Sequence, residues 1–111
     1  MDIQTQHFGA VTVLRPQGPL LAADAEGLKA ELMQVLNTSL GRFVLDMSAI
    51  PFVDSRGLEV LAEVTEELGD SGQALKLCAA NKTVREVLEL TELASLFEHF
   101  EDVNSAARSF L

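Results

Sequence analysis

The chain has 111 residues, of which 48% are hydrophobic and 23% charged, and its formal net charge is −9. That apolar content argues against a disordered chain, and the missing basic footprint argues against direct nucleic-acid binding. An acidic surface is also repelled by anionic lipid, and the lone Cys78 excludes an internal disulfide and suits a reducing compartment.

Taken in chain order, Ile3 to His7 alternates and Val11 to Leu14 is rich in β-branched residues. Phe8-Gly9-Ala10 between them reads as a hairpin turn. Pro16 and Gly18-Pro19 end the second strand, and Leu20-Leu21 extends it briefly. Asp24 is placed to cap a helix with apolar positions Leu28, Leu32, Val35 and Leu36. Asn37, Thr38, Ser39 and Gly41 end that helix. Phe43-Val44-Leu45 is a short apolar run of the kind a buried strand shows. A loop with Pro51 follows and closes at Asp54-Ser55. From Leu58 the spacing turns helical, with Leu58, Leu61, Val64 and Leu68 on one side, until Gly69-Asp70-Ser71-Gly72. Ala74 to Cys78 is the next strand. Asn81 caps a short helix carrying Val84, Val87 and Leu88. Leu96 to Phe100 forms an edge strand, and Val103 to Phe110 a last helix with Val103, Ala106, Ala107 and Phe110 inward.

The order β-β-α-β-α-β-α-β-α predicts an α/β fold. Its sheet is mixed and mostly parallel, opened by an antiparallel hairpin, with about four helices packed on it. Residues 1–111 form a single domain, long enough to bury about two-thirds of the unfolded surface. The N-terminus M-D-I-Q-T-Q-H has neither a basic nor an apolar signal region. No apolar run approaches the ~20 residues of a membrane span. A cytoplasmic protein without membrane insertion is expected.

A site is expected in a loop at the C-terminal end of a parallel strand, and the loop after Leu45 is one. Ser55 sits where strand period gives way to helix period. It is a natural N-cap, and a helix N-terminus also favours a phosphate. Asp54 is read either as a carboxylate that satisfies its own loop or as a partner contact. Gly57 in a first helical turn costs about 1 kcal/mol against Ala; close packing or an accessible backbone would each explain it. On the second reading, Gly57→Val loses partner binding while stability holds or rises. Glu59, Glu63, Glu66 and Glu67 read as a solvated face. Cys78 reads as core, and His7 and His99 as exposed. The chain shows no Walker loop, zinc spacing, dinucleotide fingerprint or G-x-S-x-G elbow. No catalytic residue, metal ligand or cofactor is assigned, and the isolated domain is expected to turn over no ATP.

The segment V-L-D-M-S-A-I-P-F-V-D-S-R-G-L-E-V-L resembles the signature of the STAS domain, the family of bacterial anti-sigma factor antagonists. Its core, D-S-x-G-L, stands here as Asp54-Ser55-Arg56-Gly57-Leu58. Thr12 to Gly18, Asp24-Ala25-Glu26 with Leu28, and Leu75 through Val84-Arg85 to Leu90-Thr91 are similar to further elements of that family. The resemblance implies the STAS fold and an anti-anti-sigma function. It implies Ser55 as phosphoacceptor and the five core residues as partner-binding. The unphosphorylated form would bind an anti-sigma factor that is also a serine kinase, and so release a sigma factor. Phosphorylation would break the complex, and a cognate phosphatase would restore it. Two positions depart from the family pattern: Leu21 stands where an acidic residue is common, and Arg56 where a small one is. Arg56 would be placed to pair with a phosphate on Ser55.

Two other readings stand beside this one. A STAS scaffold subunit of a transport, lipid-transport or stress-sensing complex would need no phosphorylation. A phosphoaspartate receiver would use Asp46 at the strand end, but Val13-Leu14-Arg15 lacks the acidic pair such a domain requires.

Overall fold

The computed structural model describes residues 1–111. Strands β1 (Asp2–Phe8) and β2 (Val11–Gln17) pair antiparallel in register from Asp2↔Gln17 to Phe8↔Val11. Gly9 makes the turn possible: its φ of +61° lies in the left-handed region that glycine enters without a side-chain clash. Helix α1 (Ala22–Thr38) leads to β3 (Phe43–Asp46), α2 (Ser55–Gly69) to β4 (Lys76–Cys78), and α3 (Lys82–Leu90) to β5 (Glu98–Phe100). Helix α4 (Val103–Arg108) closes the chain. The five strands lie in sequence order, and every pair after β1–β2 is parallel. No helix is long and apolar enough to cross a membrane.

Strand alternation divides the core in two. On one face, Leu14, Phe43, Leu45 and Leu77 pack with Leu28 and Leu32 of α1, Leu58, Leu61, Val64 and Leu68 of α2, and Val84 and Leu88 of α3. On the other, Val11, Val13, Val44 and Cys78 meet Ala106 of α4, with Phe100, Val103, Ala107 and Phe110 at the margin. Each fully buried leucine or phenylalanine contributes about 1.5–3 kcal/mol, so the larger cluster dominates stability. Thr65 is the polar stitch within it. Its hydroxyl donates to Leu96 O at 2.8 Å and accepts from Leu75 N at 3.0 Å, tying α2 to β4 and to the turn before β5.

Element order and the inward faces agree with the sequence reading of a mixed, mostly parallel sheet with four helices. Two helix starts differ. Helix α1 begins at Ala22, with Leu21 in the cap position and no side-chain cap, so Asp24 lies inside the first turn. The acceptor for Ala22 N comes from Asp54, thirty-two positions away in the chain. Helix α2 is capped by Asp54 and not by Ser55, because the Asp54 carboxylate accepts from Gly57 N.

Candidate functional site

The loop between β3 and α2 lies at the C-terminal ends of the parallel strands, and neighbouring backbone holds it on both sides. Past the end of β2 the parallel pairing continues: Gly18 N donates to Ala49 O at 3.0 Å, Leu20 N to Phe52 O at 3.1 Å and Asp54 N to Leu20 O at 3.0 Å. On the other side Asn81 caps α3 through Val84 N at 2.8 Å, and its amide donates to Pro51 O at 3.0 Å. The starts of three helices therefore meet around one loop.

Asp54 is the junction. Its Oδ1 accepts from Gly57 N at 2.9 Å and its Oδ2 from Ala22 N at 2.7 Å. The bonds to Gly57 and Ala22 hold its carboxyl below the ordinary value of 3.8. Of the two readings of Asp54, the geometry assigns the loop-satisfying one.

Ser55 is the first residue of α2 and is exposed. With Asp54 as cap, the Ser55 hydroxyl is not committed to the backbone and faces solvent at a helix N-terminus. Asp54 also occupies amides of the first turn, Gly57 N through its side chain and Leu58 N through its carbonyl at 3.0 Å. Phe52, 47% exposed, and the exposed Pro51 stand close by in sequence on the same loop.

Arg56 is already paired. Its guanidinium bonds Glu26 of α1, Glu59 at 3.0 Å and Glu63 at 2.9 Å. Those bonds, Glu26 first, then Glu63 and Glu59, raise its pKa further above the ordinary range. Arg56 thus braces α1 against α2 and is not free to pair with a group on Ser55, contrary to the sequence expectation. Glu63 departs from that reading too. It is half-buried, bonded to Lys29 at 2.7 Å and to Arg56, and Lys29 and then Arg56 hold its carboxyl low. Glu66 and Glu67 are exposed as expected.

Gly57 and Leu58 are buried, so they shape the site from beneath and present no side chain to a partner. A Cβ on Gly57 would lie 2.8 Å from Leu20 Cγ, 2.8 Å from Val53 Cγ1 and 2.9 Å from Leu20 O. Close packing explains the glycine, and the accessible-backbone reading fails. Asp54, Ser55 and Arg56 are the reachable members of the five. Sequence reasoning did not foresee the reach of Asn81 to Pro51, or of Arg56 and Asp54 to α1. Neither follows from local spacing.

Other chemistries find no geometry. His7 Nδ1 lies 3.5 Å from Thr12 Oγ1 and His99 Nε2 lies 2.7 Å from Ala94 O, so neither is partnered with Ser55. Asp46 is 8% exposed and accepts from Ser48 N at 2.9 Å, with Arg15 at 4.0 Å.

Comparison with known proteins agrees with the fold. The model of the STAS domain family matches residues 2–106. A protein of Bordetella bronchiseptica, BtrV, described as a candidate anti-sigma factor antagonist, is 34% identical over 94 residues, covering 85% of this chain and 81% of that one. Among solved structures, a candidate anti-sigma factor antagonist from Thermotoga maritima superposes with a TM-score of 0.87 at 23% identity, covering 96% of this chain and 92% of that one. The anti-sigma factor antagonist SpoIIAA in its unphosphorylated form gives 0.73 at 16% identity, with 98% and 96% covered. At these identities the two structures show a shared fold. The chain belongs to the STAS domain family and, within it, groups with the anti-sigma factor antagonists.

Proposed function

We propose that this protein is a phosphorylation-switched anti-sigma factor antagonist. In the unphosphorylated state it binds an anti-sigma factor that is also a serine kinase, and so frees a sigma factor. Phosphorylation at Ser55 ends the complex, and a cognate phosphatase resets it. The observation that carries this reading is the exposed, uncommitted hydroxyl of Ser55 at the start of α2, on a loop braced by Asp54, Asn81 and the Leu20–Val53 bridge. SpoIIAA, which shares the fold, has been solved in a phosphorylated form as well. The protein's own part in this cycle is to bind and to accept phosphate; the nucleotide belongs to the kinase.

The surface offered to the partner is the loop apex. Ser55 and Phe52 are accessible there, and Asp54 is held too low in pKa and too firmly bonded to act as a proton donor near neutral pH. The test is an incubation with the anti-sigma kinase and ATP, followed by mapping of the phosphorylated residue. Acid-stable phosphate on Ser55 supports the reading. Phosphate elsewhere, or none with complex formation intact, would favour a scaffold subunit.

A further inference from the structure

The N-terminal ends of the parallel strands carry a cavity, at the end of the sheet away from Ser55. It has a volume of about 400 Å³ and lies between the β1–β2 turn and α4. Phe8, Val11, Ala107 and Phe110 supply its apolar wall, and Arg42 and Arg108 line it as well. That volume lies within the range of small-molecule sites, which are mostly apolar with a few placed polar groups.

The arginines are the telling feature. The chain has eight Lys and Arg side chains against 17 acidic ones. Arg15, Lys29, Arg56, Lys76 and Lys82 each have a carboxylate within 4.0 Å. Arg42, Arg85 and Arg108 have none; Arg85 lies elsewhere, beside His99, while the other two border this one cavity. Arg108 in the last turn of α4 also suits a helix C-terminus. That role accounts neither for Arg42 nor for an apolar hollow beside them, where Phe8 remains 42% exposed.

We infer that this cavity binds a small amphiphilic carboxylate, with its tail against Phe8 and Phe110 and its head on Arg42 and Arg108. A guanidinium meets a carboxylate through two parallel N–H···O bonds, so two of them can hold one head group firmly. The overall charge of −9 selects the size of the ligand. A polyanion or an anionic bilayer would be repelled by the rest of the surface, whereas a single carboxylate carries one charge and brings it directly onto two guanidinium groups.

The experiment is a titration of the whole 111-residue chain with decanoate, followed by backbone amide NMR, with decanol as the uncharged control. We expect saturable shifts centred on Phe8, Val11 and Ala107. Decanol should bind about ten-fold more weakly, the size of one lost charge-assisted hydrogen bond. Arg42→Gln and Arg108→Gln should each weaken decanoate by a similar factor. Both side chains are exposed, so the fold should tolerate either change. Ser55→Ala should leave decanoate binding unchanged, which separates this site from the phosphorylation switch. The inference is overturned by equal affinity for decanol, or by no saturable shift up to about 1 mM. Shifts at the same residues on dilution without decanoate would overturn it as well, since a second copy of the chain would then be the occupant.

Discussion

Leu20 leaves no room for a side chain on Gly57: a methyl there would stand 2.8 Å from Leu20 Cγ and 2.9 Å from Leu20 O. The nearer obstacles are a buried side chain and a backbone carbonyl, and neither can swing aside. Leu20 is fixed by its bridge to Val53 and is wholly buried. Overpacking of this kind costs about 1–3 kcal/mol, against a gain of about 1 kcal/mol in helix propensity. Gly57→Ala should therefore lower the unfolding free energy by up to about 2 kcal/mol, and Gly57→Val by more. Urea unfolding measures this, and a raised midpoint for Gly57→Ala would refute the packing account.

This contact also shows where reading the sequence stops. The strand and helix periods of Phe43-Val44-Leu45 and of Leu58, Leu61, Val64 and Leu68 are local patterns, and the structure follows them. The signature Asp54 to Leu58 likewise located the loop. Which of two adjacent cap-forming residues caps α2 was not legible, since Asp54 and Ser55 are both good N-caps. The answer depends on Ala22, whose amide binds the second Asp54 oxygen. The partner of Arg56 on α1, Glu26, was hidden for the same reason, because a parallel crossover brings α1 and α2 side by side only once the sheet forms. The cavity at Phe8 and Phe110 joins opposite ends of the chain and has no sequence signal.

Asp54 gives the fold a pH dependence of predictable sign. Its bonds to Gly57 and Ala22 lower its folded pKa below 3.8. The folded state therefore holds that proton less tightly than the unfolded state. The stabilisation is complete above the ordinary carboxylate range and is lost as pH falls through the lower folded value. Asp54→Ala should melt below wild type at neutral pH, and the gap should narrow as the pH is taken below 3.8. A gap of constant size across that range would assign the loss to packing and not to the carboxylate.

Cys78 should be chemically silent in the folded protein. The side chain is fully buried, and burial, with smaller effects from Asp46 and Asp102, pushes its thiol up to about 12. Only the thiolate attacks, so both accessibility and charge oppose reaction. A disulfide reagent at mildly alkaline pH should label the protein no faster than the core opens, and denaturant should release the full thiol signal. Rapid labelling of the native protein would mean that α4 leaves its face of the sheet readily, since Ala106 of that helix shares a buried cluster with Cys78.

Phosphorylation at Ser55 should act on the partner and not on the fold. The phosphate adds about −1.5 to −2 charges at neutral pH. At the first position of α2 it meets a favourable helix N-terminus, worth about 0.3–1 kcal/mol when exposed. Two local features limit that gain: Asp54 already holds the Gly57 amide, and Arg56 is engaged by Glu26, Glu59 and Glu63. Attraction and repulsion nearly offset, so Ser55→Asp should fold and melt close to wild type. A partner surface shaped for a neutral hydroxyl is affected differently, because it would bury an unpaired charge. Such mismatches cost about 2–5 kcal/mol, which is at least about 30-fold in affinity. Ser55→Ala should bind the anti-sigma factor as tightly as wild type and escape the kinase, while Ser55→Asp should bind at least about 30-fold more weakly. Calorimetric titration of the three forms decides the matter. Equal affinities would leave Ser55 as an ordinary first residue of a helix, and a Ser55→Asp variant that unfolds would mean that the switch works through the protein's own stability.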